Sequence, residues 1–160
     1  MLISRVKAVP TQPEHVDTLL EKRLRHADVL EVFRIGGVSA EEALRISVDG
    51  SEIGVTLLRD GAVVAVSGVC TISKGLLSSP VGVPWLLACD AFESKDTACA
   101  MARISRRFID HWHSVYGRLE NIADPLHGRS MPYLQWLGFN FDWDNPLYGP
   151  YGDRLVRFWR

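Results

Sequence analysis

The chain is 160 residues long, with a formal net charge of −1, 47% hydrophobic residues and 23% charged residues. That length makes one domain with room for a full core, and the charge balance gives no bulk attraction to nucleic acid. A single domain over residues 1–160 is expected, with no direct nucleic-acid binding.

Cys70, Cys89 and Cys99 are odd in number, far apart and set among apolar residues, which argues against a disulfide framework and for a reducing compartment. No apolar leader-like region precedes Asp17. The longest apolar run, Val83 to Cys89, is too short to cross a bilayer. A cytoplasmic location without a membrane anchor is expected.

Leu2 to Val9 reads as a first strand stopped by Pro10. Thr11 and Glu14 have the spacing of a capping box, opening a helix to about Leu24. Asp28 and Glu31 can cap a second helix that ends at Gly36 and Gly37, and Ser39 and Glu42 open a third that ends near Asp49 and Gly50. The period then becomes strand-like. Glu52 to Arg59 and Ala62 to Ile72 are joined by Asp60-Gly61, a two-residue hairpin signal.

Ser73 to Val83 reads as a loop and Pro84 to Asp90 as a short buried strand. Thr97 to Tyr116 is the clearest helix, with Met101, Phe108, Ile109, Trp112, Val115 and Tyr116 at core spacing. Leu119 to Ala123 is a strand, and Arg129 to Leu137 a short helix closed by Gly138. Phe139 to Trp143 and Leu155 to Trp159 are two last strands around a Pro/Gly-rich loop. The predicted architecture is α/β, with six to seven strands in a mixed central sheet and four to five helices on its faces.

Few residues suggest chemistry by spacing alone. His111 and His113 are two apart on a helix and point to different faces, and no other His/Cys set has ligand spacing, so no metal is expected. Arg103, Arg106 and Arg107 form a basic patch on the long helix that fits a solvated face or an acidic partner. Trp85, Trp112, Trp136 and Trp159 suit the core. Trp143, Tyr148 and Tyr151 fall in the last loop and are candidate partner contacts.

The element order, together with Leu134 to Phe139 running from a helix into Gly138 and Phe139, resembles the GNAT acyltransferase fold. A closer resemblance is to small GNAT-like phage proteins encoded among the virion genes of short-tailed phages. It is carried by Gly82 to Ala88, Ser105 to Arg107 with Asp110, Leu119 to Asn121, Trp136 to Phe139, and Tyr148 to Gly152. It implies location in the host cytoplasm and then in a virion, with other virion proteins or self-association as partners.

In an active GNAT the acyl-CoA pyrophosphate lies on a glycine-rich loop at the start of the long helix. Overlay puts Lys95 at the basic position, Ala98 at the first glycine and Ala100 at the last small position, with Glu93 and Asp96 nearby. Thr97 or Ser94 equally suits a plain helix cap. Leu134 stands where the family has a tyrosine, with Tyr133 next to it, and His127 stands at the usual asparagine.

The resemblance implies that Trp85 to Asp90, Cys89 included, would supply backbone N–H groups to a thioester, and that Asp90 or Asp124 would serve as base. The degenerate loop favours a virion accessory protein with no cofactor; the alternative is an acetyl-CoA-dependent N-acetyltransferase. In the accessory reading, acids fill or line the CoA cleft.

Overall fold

The computed structural model describes residues 5–73 and 75–160. Seven strands and five helices follow the expected order. The expected strand from Leu2 lies partly outside the described residues; β1 is Val6–Pro10. Helix α1 (Pro13–Glu21) is capped at Gln12 rather than Thr11, because Pro13 takes the first helical position. The His15 ring nitrogen accepts the Gln12 N–H at 3.1 Å, while Thr11 accepts the Thr56 hydroxyl at 3.1 Å.

Helix α2 (His26–Gly36) starts earlier than its acids suggested, so Asp28 and Glu31 are internal residues and not a cap. Gly37 ends it with φ +69°, and Asp28 is its one fully buried side chain. Helix α3 (Ala40–Asp49) is capped as expected, Ser39 accepting the Glu42 N–H at 3.1 Å.

Strands β2 (Ser51–Arg59) and β3 (Ala62–Ile72) turn at Asp60 and Gly61, both at positive φ. Strand β4 (Val81–Ala88) begins three residues before the expected start, because Val81, Gly82 and Val83 continue the antiparallel ladder with β3. It closes a four-stranded sheet of order β1-β2-β3-β4. A 3-10 turn (Asp90–Glu93) leads to the long helix α4 (Ala98–Tyr116), which buries Met101, Ile109 and Trp112. Val115, assigned to that face, is 63% exposed on the last turn.

Strand β5 (Glu120–Ala123), helix α5 (Ser130–Trp136), β6 (Asn140–Tyr148) and β7 (Arg154–Trp159) complete the chain. The last three strands form an antiparallel sheet of order β5-β7-β6. The expected central sheet is therefore two sheets. They meet at one parallel bridge between Gly82 and Leu119, with the Gly82 N–H donating to the Arg118 carbonyl at 3.1 Å.

Glycine is required at that junction. A Cβ on Gly82 would stand 2.7 Å from Leu119 and 2.8 Å from Tyr116. Beyond the bridge β4 and β5 separate, and the Asn121 amide reaches across to the Pro84 carbonyl at 2.8 Å. The core joins Leu19, Leu44, Leu57, Val66, Met101 and Phe158 across both sheets. No helix among the described residues is long and apolar enough to cross a membrane.

Candidate functional site

The gap between β4 and β5 opens a cavity of about 1100 Å³ that passes from the α2–α3 side to the α4–α5 side. Its walls are mainly apolar, with Trp85, Leu86, Met101, Ile122 and Phe158 among them, and Glu31, Arg25, Glu93, Arg103 and Arg129 as the charged groups.

The β3–β4 register decides which backbone groups face the gap. Antiparallel pairing alternates, and the Cys89 N–H donates to the Val64 carbonyl at 3.0 Å. Trp85, Leu87 and Cys89 therefore turn their backbone groups toward β3, while Pro84, Leu86 and Ala88 turn theirs toward β5. Trp85 and Cys89, expected to offer N–H groups to a thioester, offer none on that edge. Pro84 has no N–H. The Ala88 N–H donates to Asp28 at 3.0 Å, and its carbonyl accepts the Arg25 N–H at 2.8 Å. Of the three gap-facing residues, Leu86 alone keeps an N–H that α2 does not cover.

Asp28 is the centre of a buried charged network. Both of its oxygens accept from the Arg25 guanidinium, at 2.8 and 3.0 Å. His127 Nε2 lies 2.7 Å from Asp28. The Ser130 N–H reaches His127 Nδ1 at 3.2 Å, which favours the tautomer carrying its proton on Nε2. Burial alone would push the Asp28 carboxyl up, but the His127 and Arg25 hydrogen bonds and the Arg25 charge hold it below the usual range. Burial also works against a charge on His127; its hydrogen bond to Asp28 and the Glu31 and Asp28 charges outweigh it and raise its pKa.

Glu31, one turn further along α2, accepts the Asp124 N–H at 2.9 Å. Burial, reinforced by the charges of Asp28 and Asp124, pushes its carboxyl up to about 7. Asp28, Glu31 and His127 bring one ligand atom each within 4.8 Å of one another. A metal at Nε2 would displace the proton given to Asp28 and force one onto Nδ1 against the Ser130 N–H. The geometry suits a proton-sharing network. Residues 28 and 127 are 99 positions apart, which is why ligand spacing in the sequence does not reveal the group.

The other expected site residues separate. Asp124 is 2% exposed and pairs with Arg34 at 2.6 Å. Asp90 is exposed and lines a separate surface depression with Leu20, Arg23 and His26. His127, which stands at the family's asparagine position in the resemblance, is buried. Tyr133 does line the cavity despite its one-residue offset, as does Leu134. Its ring meets Phe92 edge-on at 6.5 Å. Among the described residues the Tyr133 hydroxyl is buried with no hydrogen-bond partner of good geometry, and burial raises its pKa against a lowering contribution from nearby Ser105.

At the start of α4, where the resemblance places phosphate, several groups are engaged by protein contacts. The Thr97 and Ala98 N–H groups both donate to the Ser94 carbonyl, at 3.0 and 2.9 Å. Arg59 holds Asp96 at 2.7 Å and the Ser94 hydroxyl at 2.8 Å. Glu93 pairs with Arg25 at 2.8 Å and Arg129 at 3.0 Å. Thr97 is the N-cap residue but makes no side-chain cap bond; Lys95 is exposed, Ala98 lines the cavity and Ala100 is half-buried.

Tyr148 belongs to β6, which runs on past its expected end at Trp143, and not to the loop. Tyr151 is in the following turn and stacks on Phe33 with ring centroids 5.0 Å apart. All three are exposed. Of the basic patch, Arg103 donates to the Cys99 carbonyl, Arg107 is exposed, and Arg106 stacks over Trp136 at 4.3 Å and donates to its carbonyl. Trp136 is thus a surface platform, not a core residue.

No family model and no curated protein matches the sequence. Solved structures do match over almost the whole chain. An aminoglycoside N(6')-acetyltransferase from Legionella pneumophila superposes with a TM-score of 0.70 at 9% identity, covering 99% of this chain and 93% of its own. The smu.2055 protein of Streptococcus mutans gives 0.68 at 11%, covering 96% of both chains. A ribosomal-protein-S5-alanine acetyltransferase from Vibrio fischeri gives 0.66 at 12%, covering 99% and 96%. With the helix order, the two sheets joined at one bridge and the strands that part beyond it, these superpositions establish that the chain has the GNAT fold.

Proposed function

We propose that this chain is a GNAT-fold accessory module in which its own residues take up acyl-donor contacts at Ala88 and at the start of α4, and that it serves in a phage virion through contacts with other proteins. The observation that carries the first half is the double engagement of Ala88. Arg25 and Asp28 of the α2 start occupy both backbone groups that this residue turns into the gap. Glu93, paired with two arginines, and the Ser94-bound N–H groups support the same reading at the phosphate end. Each charge-assisted hydrogen bond to a phosphate contributes about 1.5–3 kcal/mol, so losing two weakens binding by roughly 10²–10⁴-fold. The virion role rests on the sequence resemblance.

Titrating the protein with acetyl-CoA by calorimetry tests the first half. No heat is expected at millimolar ligand, and micromolar binding rejects it. Mass spectrometry of purified particles tests the second half, which fails if the protein is absent from them.

Glu31 favours one other reading, an active N-acyltransferase. A carboxyl with a pKa near 7 beside an open cavity has the protonation behaviour of a general base. In that reading Glu31 takes the place assigned to Asp90 or Asp124. Acetyl-CoA-dependent release of free thiol in the presence of amines distinguishes the two.

A further inference from the structure

The arginines around α2 are already matched to acids. Arg25 holds Asp28 and Glu93, Arg34 holds Asp124 and stands 3.7 Å from Asp153, and Arg129 pairs with Glu93. Glu31 is different. Among the described residues its carboxylate accepts one hydrogen bond, from the Asp124 N–H, and no arginine or lysine pairs with it. The titratable groups around it are Asp28 one turn back on α2, Asp124 at the end of β5, and His127 in the following loop. Burial is the largest influence on Glu31 and disfavours its charge. The Asp28 and Asp124 charges add to burial, while the Asp124 N–H and His127 oppose it.

The same stretch of α2 holds the edge of the gap. Asp28 accepts the Ala88 N–H at 3.0 Å, and the Ala88 carbonyl accepts the Arg25 N–H at 2.8 Å. Asp28 and Glu31 both face the segment from Asp124 to His127, Asp28 through the His127 ring and Glu31 through the Asp124 N–H. A buried carboxylate that loses its proton is costly until it is hydrated. The cover over Glu31 is that same segment. A shift of α2 away from it hydrates Glu31, and also strains the bonds from Asp28 to His127 and Ala88.

We infer that the first turns of α2 are a latch on the gap: they hold both gap-facing backbone groups of Ala88 while Glu31 is neutral, and release them when Glu31 is charged. The movement is a local opening biased by one buried titratable group. Its sign follows from the Glu31 carboxyl, at about 7 when folded against an ordinary 4.5. The closed latch is fully stable below the ordinary value, weakens as the pH rises to the folded value, and changes no further above it. His127, also raised, loses its proton in the same direction, and Asp28 is held below this window. The arginines stay charged throughout. The latch depends on the contacts of α2 alone, so it is independent of whether the groove takes acetyl-CoA.

Residue-resolved hydrogen exchange of the full chain between pH 5 and pH 8, expressed as protection factors, tests the latch. The Ala88 and Arg25 N–H groups are expected to lose protection by roughly 70-fold over that range. The adjacent Cys89 N–H donates to β3 instead, and is expected to stay at least about tenfold better protected than Ala88 at pH 8. In Glu31→Gln, which keeps an acceptor for the Asp124 N–H, the Ala88 loss is expected to fall below about tenfold. Cys89 protection equal to that of the native chain at pH 5 shows that this variant is folded. Ala88 protection that does not change with pH overturns the proposal, since water then reaches Glu31 with the latch shut. Equal protection of Ala88 and Cys89 at pH 8 overturns it in favour of global unfolding, and a loss in Glu31→Gln as large as in the native chain removes Glu31 as its trigger.

Discussion

The Asp28 carboxylate accepts the Ala88 N–H at 3.0 Å, so a helix near the start of the chain closes the last backbone position of β4. One side chain thereby joins α2, Arg25, His127 and the edge of the gap. Asp28→Ala leaves Arg25 and the Ala88 N–H without that partner in a buried setting. Removing one member of such a pair costs about 3–5 kcal/mol. Urea denaturation is expected to show a loss of that size, with Asp28→Asn losing less because its amide oxygen still accepts.

Glu31 gives a pH dependence of a definite sign. Its folded pKa is about 7 against an ordinary value of 4.5. Between those values the folded state holds the proton more tightly than the unfolded state, so stability falls as pH rises through this window. A displacement of that size corresponds to about 3 kcal/mol. Glu31→Gln keeps an acceptor for the Asp124 N–H and has no proton to lose. The difference in unfolding free energy between the Glu31→Gln variant and the native protein is expected to grow from pH 5 to pH 8; a flat difference rejects the assignment.

Tyr133 separates a structural hydroxyl from a catalytic one. Its oxygen is buried and unpartnered, and an unsatisfied polar group costs about 1–3 kcal/mol. Tyr133→Phe is therefore expected to leave stability unchanged or raise it, measured as the melting temperature. If the protein proves to transfer acyl groups, loss of turnover in this variant assigns the hydroxyl a role.

Gly82 tests the junction of the two sheets. A Cβ there meets Leu119 and Tyr116 at distances that neither can accept without moving. Overpacking of a tight core costs about 1–3 kcal/mol. Gly82→Ala is expected to show that loss, together with faster exchange of the backbone N–H at position 82 that donates to Arg118.

Much of the fold is legible in local pattern. Asp60-Gly61, Ser39 with Glu42, and Gly37 and Gly138 at positive φ are places where backbone geometry admits few residues, and all act as the sequence suggests. The misreadings have local causes too. Pro13 moves the first cap from Thr11 to Gln12, and Asp28 and Glu31, at capping spacing, are drawn inward by Arg25 and by the Asp124 N–H. The signal that points to the network is the charged residue at every third position, Arg25, Asp28, Glu31 and Arg34, on an otherwise largely apolar helix.

By itself the sequence determined the element order, the turns and the missing glycines at the start of α4, because these depend on neighbours a few residues apart. Only the tertiary structure decided where the charges act. Asp28 meets Ala88 and His127 across 60 and 99 residues, and Arg34 meets Asp124 across 90. No local pattern encodes those separations. Their consequence is that Asp124 and His127 lie in a buried network, while Glu31, which sequence spacing assigned to a helix cap, faces the cavity.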